Sequence, residues 1–444
     1  MEQIVGSPFE WLKFNKEGAL TSPSQVDAIR TLVTAQGVTD LVVISHGWKN
    51  DEADARRLYE MLWKNVVAAL TTRGAGSIVL VGIEWPAKAF ETDFDTASLH
   101  VQKSGGTLSA SPPVGVPRRD FTDAELRVAI DEFDKYLEGD GQAVVAAAKS
   151  ILVGGALDPI KAAALFAASS RLLDVSAAAD TEIQEDTKPL GAAEPHQRLL
   201  ALARPPALKA QPGLGAAQSL RSVVGEVFAG PRAAIARFLN QLTYFEMKSR
   251  AGVVGRRLGT DVLPKLSIPA YVRLHLVGHS FGARLVTAAA SALPNAVPLY
   301  SLTLLQGAFS HNAMAVLVRP GQPGAFANVV GRPTGPIVMT HTHNDEACTF
   351  WYAIASRLSR DMTKAIGDKD DAFGSMGANG AQKLNPEMLA QDVSDQNFRP
   401  VAGKVNRFLA DSYVVKTDTL GAHNNVTNPT VGRLVASVLD TPAA

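Results

Sequence analysis

Five residues, Gly278-His279-Ser280-Phe281-Gly282, carry the spacing G-x-S-x-G. In this nucleophile-elbow pattern a serine sits on a sharp turn between a strand and a helix, its hydroxyl exposed. The turn holds the serine in a strained backbone conformation. Residues two before and two after it must therefore lack bulk, so that strand and helix can approach. The flanks supply the required context: an apolar strand over residues 271–277, and a small-residue helix over 283–293 stopped by Pro294. The helix start directs free N–H groups and a positive dipole end at the turn. A serine hydroxyl is a weak nucleophile alone. It needs a base to take its proton and an acid to orient that base. It also needs two backbone N–H groups aimed at the oxygen that becomes negative when a carbonyl is attacked. The residue after the nucleophile, here Phe281, supplies one of them.

On this strand, turn and helix the chain resembles the α/β-hydrolase superfamily, as a bacterial esterase or lipase-like serine hydrolase, over most of its length outside two insertions. The resemblance implies partners in the order Ser, Asp or Glu, His, each on a loop after a later strand. Asp345 follows an expected strand by a few residues, and His423 stands between the last expected strand and the last helix. Both fall where the superfamily's acid and base sit. Asp345 also reads as the cap of a helix beginning at Glu346, Asp411 and Asp418 are rival acids, and His423 also reads as an ordinary loop histidine. His341 and His343 are near Asp345 in sequence but read as satisfied or solvent-exposed. His279 fills the variable slot of the turn and His275 lies within a strand, so neither is given a catalytic role. The second N–H donor comes from a loop after an early strand, often marked His-Gly. His46-Gly47-Trp48 occupies that place, so the resemblance assigns the donor to Trp48, with His46 fixing the loop by hydrogen bonding. The plainer alternative there is a strand-end turn. Glu84-Trp85-Pro86 also ends a strand on the side where parallel sheets bind ligands, and reads equally as a structural terminus or a hinge.

The elements that must position these residues follow a strand–helix alternation. Residues 9–14 read as an edge strand, and 22–35 as a helix capped by Ser24. Residues 40–45 (Asp-Leu-Val-Val-Ile-Ser) form the compact apolar run of a strand buried on both faces of a parallel sheet. Asn50 and Asp51 start a helix to about residue 72, with Leu58, Leu62, Val66 and Leu70 on one stripe. Residues 77–83 are another buried strand. Strand, helix, strand argues for a parallel sheet. The alternation then stops. Residues 103–119 read as a loop, and 121–137 as a helix with a Thr122–Glu125 capping box and Leu126, Ile130, Phe133 and Leu137 on one face. Residues 142–153 and 159–173 are alanine-rich helices, and 176–215 is irregular. Pro231 opens a long helix that Gly252 and Gly255 interrupt. Beyond the elbow, strands are expected at 298–305, 336–341, 404–409 and 412–416. The segment 346–357 reads as a helix, 361–400 as a polar lid-like loop, and 429–439 as the closing helix.

The expected architecture is thus an α/β-hydrolase core, residues 1–86 and 231–444, whose mainly parallel sheet has helices on both faces. A helical cap insertion spans 87–230. Its expected role is to shape access to Ser280.

Composition bounds the rest. The chain has 444 residues, 46% hydrophobic and with no formal net charge, so it can bury a large core and carries no basic excess for nucleic acid. Its single cysteine, Cys348, excludes an intramolecular disulfide framework and fits a reducing cytoplasm. The N-terminus lacks the pattern of a signal peptide, and no apolar stretch is long enough to span a bilayer. Delivery by a signal-independent secretion system, as for a lipase toxin, is compatible with this. No metal or cofactor is implied. The expected substrate is a small-molecule or lipid ester. Peptidase and thioesterase readings share the triad. A dehalogenase or epoxide hydrolase would need a carboxylate at position 280. The rival from another class is a binding or scaffold protein that kept the fold and lost the activity.

Overall fold

The computed structural model describes residues 2–48, 50–87, 118–120, 122–136, 141–152, 157–177, 194–203, 227–228, 230–345, 347–348, 374–390, 396–418 and 420–442. They form two compact units: Met1–Ala87, Arg250–Ala353 and Gly367–Ala444, and then Lys88–Ser249 with Ile354–Ile366.

The first unit is an α/β structure built on eight strands: β1 (Glu2–Ile4), β2 (Ser7–Lys13), β3 (Asp40–Ser45), β4 (Ile78–Glu84), β5 (Arg273–His279), β6 (Ser301–Leu305), β7 (Ile337–His341) and β8 (Val405–Leu409). Their order across the sheet is β1-β2-β4-β3-β5-β6-β7-β8. Only the β1–β2 pair is antiparallel. All six residues of β3 are buried, as a strand covered on both faces requires. Val42, Ile44, Ile78 and Leu80 pack into one core with Tyr59, Leu62, Trp63 and Val66 of helix Glu52–Ala69 and Val431 and Val435 of helix Pro429–Asp440. Their neighbours Leu41, Val43, Val79 and Val81 point to the other face and are equally buried. The residues expected at the sheet edge, in β2, lie one strand in. The edge belongs to β1, whose brevity limits the unpaired backbone it exposes.

Several local expectations are corrected. Ser24 is the first residue of helix Ser24–Val33, not its cap; Pro23 holds that place, with a fixed φ already suited to a helix start. Asp51 does cap helix Glu52–Ala69, through a reciprocal capping box with Asp54. Gly252 and Gly255 do not interrupt the long helix, which runs unbroken from Pro231 to Arg257. A Cβ on Gly255 would collide with the carbonyl of Leu285, and one on Gly259, a turn later, with that of Ala289. The glycines let two backbones touch, which here outweighs their poor helix propensity. Residues 412–416 form no strand: the chain turns through 411–413, where Tyr413 N and Val414 N bond back to Ala410 O, and runs on without regular structure at 415–416. The segment expected as a lid-like loop contains helix Met376–Asn379, whose Met376, Gly377 and Ala378 are buried. Of the helix expected at 346–357, only Ala347 and Cys348 are described.

The second unit contains helices Asp123–Tyr136, Gln142–Leu152, Pro159–Ala177 and Pro195–Leu202, and the long helix as far as Ser249. Thr122 and Glu125 close the expected capping box, and Leu126, Ile130 and Phe133 are buried. Phe166 stacks on Phe238 at 4.7 Å. Helix Pro195–Leu202 falls in the stretch expected to be irregular, where Pro195 opens it and Leu199 is buried. Residues 178–193 and 204–215 of that stretch lie outside the described residues, as does the loop expected at 103–119 up to residue 117. Arg118–Arg119, expected in that loop, instead pair as a short strand with Val227–Phe228. Among those described, no helix is long and apolar enough to cross a membrane.

Candidate active site

β5 ends at His279 and helix Phe281–Ala292 begins two residues later, leaving Ser280 alone at the turn. Its backbone is left-handed, φ 58° and ψ −123°, a conformation that costs a non-glycine residue about 1–3 kcal/mol. Neighbours hold it there. Ser280 N donates to Leu305 O at 3.0 Å, and Ala308 N donates to Ser280 O at 3.2 Å. A Cβ on Gly278 would strike the carbonyl of Gly282, and one on Gly282 the carbonyls of Ser45 and His46. Both elbow glycines are therefore required by close approach.

The three side chains expected to act together do meet. Ser280 Oγ lies 2.8 Å from His423 Nε2, and His423 Nδ1 lies 2.7 Å from Asp345 Oδ2. An ionised carboxylate only accepts, so Nδ1 carries the imidazole proton and Nε2 accepts from the serine hydroxyl. Asp345 is buried. Burial pushes its pKa up, but the adjoining His423 and hydrogen bonds from Gln306 and Cys348 N outweigh that and hold it below its usual 3.8. The His423 side chain is 19% exposed. It sits in a 3₁₀ stretch, Ala422–Thr427, where Asn425 Nδ2 donates to Val415 O and Asn428 Nδ2 to Tyr413 O.

The loop after β3 reaches the same serine. Gly47 lies so close that a Cβ there would strike Ser280 Cβ. The Trp48 ring is 6.1 Å from that of Phe281, so the residues expected to supply the two N–H groups lie beside Ser280, one on the loop after β3 and one at the start of the helix. His46 fixes this loop: its N donates to Tyr59 Oη at 2.8 Å, and its Nδ1 donates to Gly47 O at 2.9 Å. Burial pushes its pKa down to about 4, so the ring is neutral. Trp85 stacks on it at 5.7 Å and donates Nε1–H to His46 O. Trp85 thus braces the loop from beneath.

The rivals go elsewhere. Asp411 pairs with His343, Oδ2 to Nδ1 at 3.0 Å, and Asp418 is exposed. His275 is buried between Asp40 and Ser301, away from the elbow turn at the other ends of the strands. Two residues act on the site that sequence reasoning did not find. His279 donates Nε2–H to His423 O at 2.9 Å and lies 4.9 Å, ring to ring, from His423. Gln306 donates to Asp345 Oδ2 at 3.0 Å. His279 was visible as the variable slot of the elbow, whereas Gln306 carries no motif at all.

Asp345, Cys348 and His423 offer ligand atoms within 4.8 Å of one another. Here the imidazole proton already joins Asp345 to His423. Burial and the Asp345 charge push the Cys348 thiol pKa well above 9.0. The donors are set for proton sharing more than for metal ligation. No protein-family model, no curated protein and no solved structure matches this chain.

Proposed function

We propose that this chain is a serine hydrolase of the α/β-hydrolase superfamily that cleaves carboxylic esters through an acyl-enzyme. The observation that carries it is the unbroken relay Ser280–His423–Asp345, at 2.8 and 2.7 Å, with the serine on a left-handed turn. The superfamily reading is supported by placement: the serine follows β5, the acid β7 and the base β8, at the carboxyl ends of parallel strands.

In this scheme His423 Nε2 takes the Ser280 proton as Oγ attacks the ester carbonyl. Asp345 holds the imidazole and balances the charge it gains. The N–H groups of Phe281 and Trp48 receive the developing oxyanion. The same imidazole protonates the departing alcohol, then deprotonates the water that cleaves the acyl-enzyme. A buried free thiol as the single cysteine supports the cytoplasmic residence expected above.

A fluorophosphonate probe tests the proposal without a known substrate. The wild type should label stoichiometrically, and Ser280→Ala should neither label nor hydrolyse p-nitrophenyl esters while melting normally. A folded wild type that does not label would favour the inactive scaffold. Esters of graded chain length, compared with thioester and amide analogues, would sort the acyl-transfer classes.

A further inference from the structure

Gln306 is the first residue after β6. It is buried and left-handed, with φ 47°. A glutamine in that conformation needs compensation, and its hydrogen bonds supply it. Its Nε2 donates to Asp345 Oδ2 at 3.0 Å and to Gly377 O at 3.1 Å. Its backbone N donates to Thr340 Oγ1 at 3.1 Å, and its O accepts from the Cys348 thiol at 3.5 Å. Both side-chain partners are acceptors, so only the NH₂ end of the amide can face them. Gly377 is fixed in turn, through Gly377 N to Gly307 O at 2.8 Å and Thr342 N to Gly377 O at 2.9 Å.

Asp345 Oδ2 therefore receives two N–H groups, from His423 Nδ1 and Gln306 Nε2, while Oδ1 receives Cys348 N–H at 3.0 Å. Each carboxylate oxygen is pinned, and the acid cannot rotate to offer His423 its other oxygen. We propose that Gln306 is a positioning residue, the fourth member of the relay, which fixes Asp345 Oδ2 on His423 and sets the proton affinity of the pair. Its N–H dipole stabilises the carboxylate. Without it, the pair holds its proton to higher pH. The other titratable groups facing the pair are His279 and Cys348. Both are the same in wild type and in Gln306 variants, so they do not enter the difference.

This rests on the serine-hydrolase reading for its catalytic meaning, but its test does not need turnover. The hydrogen-bonded His423 Nδ1 proton should give a far-downfield proton resonance, assigned by its loss in Asp345→Asn, whose titration reports the pair directly. Gln306→Leu removes the donor. Gln306→Glu keeps the shape and adds a negative charge. The titration midpoint should rise by about half a pH unit in the first and by about one unit or more in the second. The acid limb of kcat/KM for p-nitrophenyl acetate should move with it, and kcat should fall on the order of tenfold with KM little changed. Midpoints equal to wild type in both folded variants would overturn the proposal, even if kcat fell, because a merely structural side chain would act that way. Shifted midpoints in a protein that no fluorophosphonate labels would sink the hydrolase reading and leave the Gln306 assignment standing.

Discussion

The sheet carries a Ser–His–Asp relay at each end. At the carboxyl ends Ser280, His423 and Asp345 are joined at 2.8 and 2.7 Å. At the amino ends Ser301 Oγ lies 2.8 Å from His275 Nδ1, and His275 Nε2 lies 2.9 Å from Asp40 Oδ1. Residue types and bond lengths nearly coincide, so neither tells the two relays apart. The surroundings do. Ser301 and His275 lie in strands and Asp40 begins one, and all three are fully buried. Ser280 instead stands on a left-handed turn at a helix N-terminus, with a partly exposed histidine beside it. The imidazoles are also reversed: His275 turns Nδ1 to its serine, and His423 turns Nε2. The acids differ most. Asp345 is held by His423 and by the N–H groups of Gln306 and Cys348. Asp40 is clamped by Arg273 at 2.7 Å and Arg73 at 2.9 Å. Burial raises its pKa, but hydrogen bonds from His275 and Thr39 and the charge of Arg273 more than offset this and hold it far below 3.8. Arg273 also reaches Leu439 O and Thr441 O, so the amino-end relay ties the closing helix to the sheet.

That contrast breaks most sharply at the acids. Asp345→Asn should lower kcat by about 10⁴-fold, since His423 loses its orienting acceptor, with a melting curve close to wild type. Asp411→Asn should not. Asp40→Ala should do the reverse, destabilising the fold by about 3–5 kcal/mol because Arg273 loses its counter-ion, Arg73 is left with Asp440 alone and buried His275 loses its acceptor, with fluorophosphonate labelling intact in the folded fraction. Equal losses of rate and stability in both variants would erase the distinction.

Proton linkage sharpens it further. His46 and His279 are pushed down to about 4 and about 3, mainly by burial, and burial also lowers His275. Below an unfolded value near 6.5 the unfolded chain binds protons that the fold refuses. Stability should therefore fall as pH drops from about 6.5 towards 4, by up to about 1.4 kcal/mol per histidine per pH unit. Asp40, whose folded pKa is depressed, keeps its contribution throughout that window and loses it only in strong acid. His343 runs the other way: its hydrogen bond to Asp411 raises its pKa, so its contribution is complete below 6.5 and is lost above. Urea midpoints against pH check the slope. His275→Gln should flatten it without altering labelling of Ser280. The smallest effect is Ser301→Ala, about 1 kcal/mol for one buried hydrogen bond, read from the same midpoints, again with normal labelling.

The carboxyl-end relay was legible in the sequence and the amino-end one was not, for a physical reason. Ser280 announces itself locally, because its two glycines exist to relieve its own turn. Asp345 and His423 each follow a short buried strand, so counting strands finds them. Asp40, His275 and Ser301 meet only through inter-strand register: β3 places Asp40 opposite Arg273, and β6 places Ser301 opposite His275. No spacing in the chain encodes that register. Gln306 was missed similarly, since its partner Gly377 comes from a distant segment. Gly255 misled because a glycine that breaks a helix and one that admits a neighbouring backbone look alike until the neighbour is known.

One bond near the acid bears on how such a chain can change over generations. Ser375 Oγ donates to Cys348 O at 2.7 Å, so the chain leaves the acid loop after Cys348 and returns to the same spot at Ser375. The aim of the acid thus leans on a hydroxyl thirty places further along the chain. Ser375 and the backbone it grips form one inherited unit: Ser375→Ala would take a buried hydrogen bond from the Cys348 carbonyl and loosen the loop that carries Asp345. Descent can alter either segment only while that clasp is kept or replaced.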